Sequence, residues 1–193
     1  MSELPNGAFS ATGGKLGQLI YENPSAGVGP EFRFYLELSF DPFEWEDETL
    51  TPLLRIDNIS VPAKSFRDLE GTSPRFPYAP KPGSVEAAVL LFGEHNPADV
   101  TRIEFGAIEE GKLRVGFETE VDFEIEADRD DLEQIEMSFD LAVAIDPLRI
   151  STSLEKRCEG DPEQIREVVA EIVDLSCYGE LEKLPGGFAL PVA

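Results

Sequence analysis

Eleven carboxylates and one base, Arg129, lie between Glu118 and Asp140. Carboxylates at this density could attract a basic protein, hold a hard cation, or simply stand in water as a solvated face. Like charges facing one another across a strand pair repel, by some tenths of a kcal/mol up to ~1 each. A sheet shaped for stability alone would interleave Lys or Arg. A basic partner would relieve the repulsion, and the field would speed its association. The residues expected to form such a face are Glu118, Glu120, Asp122, Glu124, Glu136 and Asp140.

The alternative use of these acids is a cation site. Asp128, Asp130, Asp131 and Glu133 crowd into six residues, DRDDLE. Calcium takes six to eight oxygens, and magnesium also prefers oxygen ligands. The segment departs from the EF-hand pattern, because Glu133 stands where that loop has Gly and Leu132 stands where a ligand belongs. No cofactor is expected beyond a calcium or magnesium ion at these four residues. A cation-binding protein or a cation-dependent hydrolase is the function they would imply. A second acidic run, Glu44-Trp45-Glu46-Asp47-Glu48, departs from it as well.

Other chemistry has little to work with. His95 is the only histidine, which removes sites needing two imidazoles. It sits in a GEHNP segment with no nucleophile elbow or catalytic cysteine signature. Gly13-Gly14-Lys15 lacks the rest of a Walker loop. Cys158 and Cys177 flank an expected helix about 20 Å long, at ~1.5 Å per residue. A disulfide needs Cα atoms within roughly 7 Å, so two free thiols are expected. No catalytic machinery is expected.

Bulk charge narrows the partners. The 193 residues carry 39 acids against 16 bases, a formal net charge of −23. That opposes nucleic-acid binding and docking on anionic lipid. High charge also keeps proteins soluble whatever they bind. The first residues, MSELPNGAFS, lack a secretory pattern, and no apolar run approaches the ~20 residues of a membrane span. A cytoplasmic protein is the expectation.

The elements that must position the acids are strands. Leu113, Val115, Phe117, Val121, Phe123 and Ile125 alternate with Arg114, Gly116, Glu118, Glu120, Asp122 and Glu124. Period two marks a half-buried strand. A second strand, 134–145, turns Ile135, Met137, Phe139, Leu141, Val143 and Ile145 inward and ends before Pro147. A symmetric hairpin loop over 127–133 would pair Ile125 with Ile135 and Phe117 with Val143. It would set Glu124 opposite Glu136, Glu120 opposite Asp140, Glu118 opposite Ala142 and Gly116 opposite Ala144. The small residues at that end suggest cover by a helix.

Further strands are expected at 16–22, 31–41, 53–61, 85–92 and 100–108. Turns are expected at 23–30, 93–99 and 109–111. One helix is expected at 162–175. Asp161 caps it, Pro162 opens it, and Ile165, Val168, Val169, Ile172 and Leu175 form its apolar stripe.

The resulting fold is mainly β, an antiparallel β-sandwich or open barrel of about eight strands with one C-terminal α-helix, in a single domain. Residues 1–15 read as a loose leader and 184–193 as an extended surface tail. Residues 62–83 form a long Pro-rich loop, where Lys64, Arg67, Arg75 and Lys81 interleave with Phe66, Phe76 and Tyr78. Such a loop either packs on the sheet or recognises a ligand. The leading functional expectation is a protein-interaction module that binds a basic partner. A β-barrel that holds a small apolar ligand among its phenylalanines is the third alternative.

Overall fold

The computed structural model describes residues 4, 5, 7–79, 81, 83–124, 132 and 134–193. Strands β1 (Ala11–Asn23), β2 (Val28–Phe40), β3 (Phe43–Trp45), β4 (Glu48–Leu50) and β5 (Leu53–Ile59) come first. After the Pro-rich segment come β6 (Glu86–Leu91), β7 (Glu94–Asp99), β8 (Glu104–Glu109), β9 (Lys112–Val121) and β10 (Ile135–Ile150). Helices α1 (Thr152–Arg157) and α2 (Pro162–Ile172) and strands β11 (Glu182–Leu184) and β12 (Gly187–Leu190) complete the chain.

Ten strands form one sheet, in the order β11-β12-β10-β1-β2-β5-β6-β7-β9-β8, and β9 also pairs with β10. That extra ladder joins the ends of the run β10-β1-β2-β5-β6-β7-β9, so seven strands close into a ring. The fold is mainly β, as expected, but the barrel is closed by the β9–β10 ladder where a sandwich or an open barrel was expected. Phe34, Leu36, Leu54, Ile56, Val89 and Val115 are among the side chains that fill the interior, each at most 1% exposed. β3 and β4 form a separate two-stranded sheet whose Trp45 packs into the same core.

Among the described residues, every strand pairing is antiparallel except β1 with β10. β10 follows β9 over Ile135–Ala144 and then runs beside β1 to Ile150, past the Pro147 expected to end it. Opposite Leu16–Gln18, β10 advances from Ile145 to Leu148, so Asp146 and Pro147 occupy an irregularity in the ladder. Proline is tolerated in a sheet at such a bulge. Gln18 is fully buried there and donates from Nε2 to the Asp146 carbonyl at 2.8 Å. Its Oε1 accepts from the Tyr178 hydroxyl at 2.6 Å.

Local differences from the expected elements have local causes. β1 begins at Ala11, so the strand takes in the end of the expected leader. Phe9 of that leader meets Phe40 edge-on. The expected turn 93–99 is β7, and the chain reverses at Phe92-Gly93, both at positive φ (58° and 82°). Tyr35 lies over Gly17, where a Cβ would overlap the ring. α2 ends at Ile172 and a 3-10 turn follows over Leu175–Cys177. α1 has one fully buried apolar residue, Leu154, too little to mark it by periodicity. It seals one flank of the barrel, where Arg157 pairs with the buried Glu22 at 2.7 Å. The helices leave Ala142 and Ala144 exposed, contrary to the cover expected there. Phe188, Ala189 and Leu190 of the tail are buried in β12, so the tail is core and not surface. Cys158 and Cys177 are both free and buried. Among the described residues, no helix is long and apolar enough to cross a membrane.

Gly17→Ala must displace the Tyr35 ring, an overpacking that costs about 1–3 kcal/mol. Thermal unfolding is expected to shift down by several degrees. The shift should shrink when Tyr35 is also Ala. Tyr178→Phe strips Gln18 Oε1 of its donor and is expected to cost about 1–3 kcal/mol. Burial holds the Tyr178 hydroxyl protonated well above the ordinary tyrosine range. The unfolded chain ionises near pH ~10 while the folded one does not, so this contribution is full below pH ~10 and fades above it. Denaturant unfolding from pH 9 to 12 should show a steeper loss for the wild type than for Tyr178→Phe.

Candidate functional site

The acidic face rests on the β9–β10 ladder. Its observed register sets Glu120 opposite Glu136, Glu118 opposite Ser138, Phe117 opposite Phe139, Gly116 opposite Asp140 and Arg114 opposite Ala142. This lies four residues from the expected pairing and replaces each contact predicted there. The ladder ends at Asp122. Its carboxylate accepts from the Glu124 backbone N–H at 2.9 Å and from Gln134 Nε2 at 3.4 Å. A side chain that bonds its own backbone two residues on turns the chain. β9 therefore ends at Val121, and Asp122 and Glu124 leave the strand face. Phe123 still points inward and stacks on Phe9.

The new register separates the acids into two groups. Asp140 is neutralised, because Arg114 donates from Nε and Nη2 to its two oxygens, each at 2.7 Å. The guanidinium holds the Asp140 carboxyl below the usual carboxylate range, and Asp140 in turn raises Arg114. The other group is a row across three strands, because Asp99 of β7 pairs with Glu120 of β9 and Glu120 with Glu136 of β10. All three side chains are exposed, as is Glu118 beside them. Among the described residues, none of these four carboxylates has an ion-pair partner within 4 Å.

The Pro-rich segment builds a wall beside this face. Among the described residues β8 pairs with β9 alone, and its other edge takes bonds from residues 70–76 instead. Phe105 N–H donates to the Thr72 carbonyl at 2.9 Å and Ile103 N–H to the Pro74 carbonyl at 3.3 Å. Ile108 N–H donates to Glu70 Oε1 at 2.9 Å. Phe66, Leu69 and Phe76 anchor the segment in the core. With Phe76 inside, Arg75 is left exposed, and Tyr78 is 60% exposed. Arg67 is used elsewhere and donates to the Ala193 carbonyl at 3.4 Å.

Floor and wall enclose a groove in two connected parts, which share Thr101, Glu118 and Ser138. One part, about 450 Å³, holds Asp99, Glu120, Glu136 and Tyr78. The other, about 640 Å³, holds Arg75, Arg102, Arg114, Glu104 and Asp140. Volumes of roughly 300–1,000 Å³ are usual for ligand sites. Asp99, Arg102 and Arg114 were not among the expected site residues. The buried alternation Asn96, Ala98, Val100 marks the strand that carries Asp99. The bases of the other part had no signal beyond their proximity in the fold.

The remaining candidates fall elsewhere. Asp128, Asp130, Asp131 and Glu133 lie outside the described residues. Among the described residues, no group of three or more His, Cys, Asp or Glu side chains is placed to hold a metal ion. In the second acidic run Trp45 is buried and Glu44 accepts from Thr49 Oγ1 at 2.7 Å. His95 is exposed on β7, opposite Leu90. Lys15 lies in β1 and pairs with Glu37 at 2.9 Å, within a strand and not a phosphate loop.

No family model matches the chain, and neither a curated protein nor a solved structure matches it. The groove's chemistry rests on its own residues.

Glu120 stands between two other carboxylates, and like charges directly opposite are destabilising. Glu120→Gln is expected to raise the melting temperature by one to a few degrees at about 20 mM salt. The gain should fade near 0.5 M NaCl, where screening acts within a few ångströms. A gain independent of salt would mean that repulsion is not its origin.

Proposed function

We propose that this protein is a non-enzymatic interaction module that binds a basic protein partner through the groove. The observation that carries the reading is the unpaired row Asp99–Glu120–Glu136 beside the exposed ring of Tyr78. An ammonium or guanidinium entering there meets carboxylates from three strands and can lie against an aromatic face, which attracts cations. The net charge of −23 extends the attraction outward and steers a basic partner in. The groove's carboxylates are exposed, whereas paired acid–base carboxyls need burial to set them apart. A cytoplasmic setting fits the two free thiols. The packed interior favours this outer site over an apolar ligand held inside the barrel.

The test is calorimetric titration of a short Lys-containing peptide into the wild type and into Glu120→Lys/Glu136→Lys. A control, Glu167→Lys/Glu171→Lys on α2, makes the same change of net charge away from the groove. The groove variant is expected to lose about tenfold in affinity, near 1.4 kcal/mol, and the control much less. Equal losses in the two variants would reduce the effect to net charge and defeat the proposal. Circular dichroism confirms that each variant is folded.

A further inference from the structure

The part of the groove beyond Glu118 mixes three bases with its acids. Arg75 and Arg102 are directly opposite one another in an antiparallel bridge, and Arg114 lines the same hollow. Three of the ten arginines of a strongly acidic chain thus share one end of one groove. Arg102 donates to Ser73 Oγ at 2.7 Å and pairs with Glu104 at 2.8 Å. Arg114 is held by Asp140. Arg75 has no ion-pair or hydrogen-bond partner for its side chain among the described residues, although like charges directly opposite repel. An anionic group between Arg75 and Arg102 would convert that repulsion into two charge-assisted bonds, and the planar guanidinium matches a carboxylate in bidentate geometry.

The two ends are a fixed distance apart. Asp99 pairs with Glu120 and Glu104 with Gly116, so Arg102, two residues before Glu104, lies level with Glu118, two residues along β9 from the Glu120–Glu136 row. At about 3.4 Å per residue that is roughly 7 Å. Residues i and i+2 of an extended chain lie on one face at the same separation. We propose that the groove's occupant is an extended segment of the basic partner that carries a Lys or Arg at one position and an Asp or Glu two positions away. The base enters among Asp99, Glu120 and Glu136. The acid enters between Arg75 and Arg102. This rests on the functional reading above and adds to it a second, anionic contact. It explains how a protein of such one-sided charge could choose among basic partners, since a segment with bases alone leaves the arginines unanswered.

Four blocked tripeptides test it: Lys-Ser-Glu, the reversed Glu-Ser-Lys, and each with Gln for Glu. Calorimetry at about 50 mM NaCl reads their affinities for the wild type and for Arg75→Gln, an exposed change that breaks no ion pair. In one of the two orders the Glu peptide is expected to bind about fivefold tighter than its Gln counterpart. That ratio should fall below about twofold in Arg75→Gln. Equal affinity of Glu and Gln peptides in both orders would overturn the anionic contact and leave the basic one standing. A ratio undiminished in Arg75→Gln would also overturn it. Failure of all four peptides to bind would remove both readings together.

Discussion

The barrel depends on one buried amide, the side chain of Gln18. β10 must serve two ladders, antiparallel with β9 in its first part and parallel with β1 in its second. The change of partner happens at Asp146–Pro147, where the strand carries extra length and proline offers no N–H. An irregularity buried in a closed sheet leaves polar groups to satisfy. Gln18 answers the Asp146 carbonyl with its amide N–H, and Tyr178 answers Gln18 with its hydroxyl. Three distant parts of the chain therefore meet at one point. The same irregularity changes which residues face inward. Val143 is buried before it, and Leu148 and Ile150 are buried after it. Side chains alternate with period two, so an added residue exchanges the faces.

That exchange shows how much of the fold was legible. The alternation of β9 and of the first half of β10 is a local property, and both strands face as their sequences indicate. The continuation past Pro147 is not local, because it rests on ladders with β1 and β12 and on Gln18, 128 residues away from Asp146. β7 was hidden for a related reason. Its turn-like residues His95-Asn96-Pro97 lie in a strand, and buried Asn96 donates to the carbonyls of Val89 and Leu91. The end of the acidic ladder was not legible either, since Asp122 bonds the backbone two residues on where the charge pattern continues unchanged.

The candidate site was half legible. Its acids stand out in the sequence, but which of them matter follows from pairing. Asp140 is cancelled by Arg114, and Asp99 joins only because β7 reaches β9. The wall was foreshadowed by a Pro-rich run mixed with bases and aromatics, yet its position comes from backbone bonds to β8. The same bonds have a protective effect. An uncovered edge strand invites pairing with another chain, and here the proline-containing segment occupies it. One segment thus guards the sheet and shapes the groove.

The molecule's single tryptophan lies in neither place. Trp45 belongs to the β3–β4 hairpin, a separate sheet, and lines neither part of the groove. Its indole is 8% exposed and seated against the barrel core. Tryptophan emission therefore acts as a built-in optical gauge of how that hairpin is docked. Far-ultraviolet dichroism, in contrast, averages over the strand ring. A gap between the two signals during denaturation would expose a non-cooperative step, the hairpin lifting away from a barrel that is still closed.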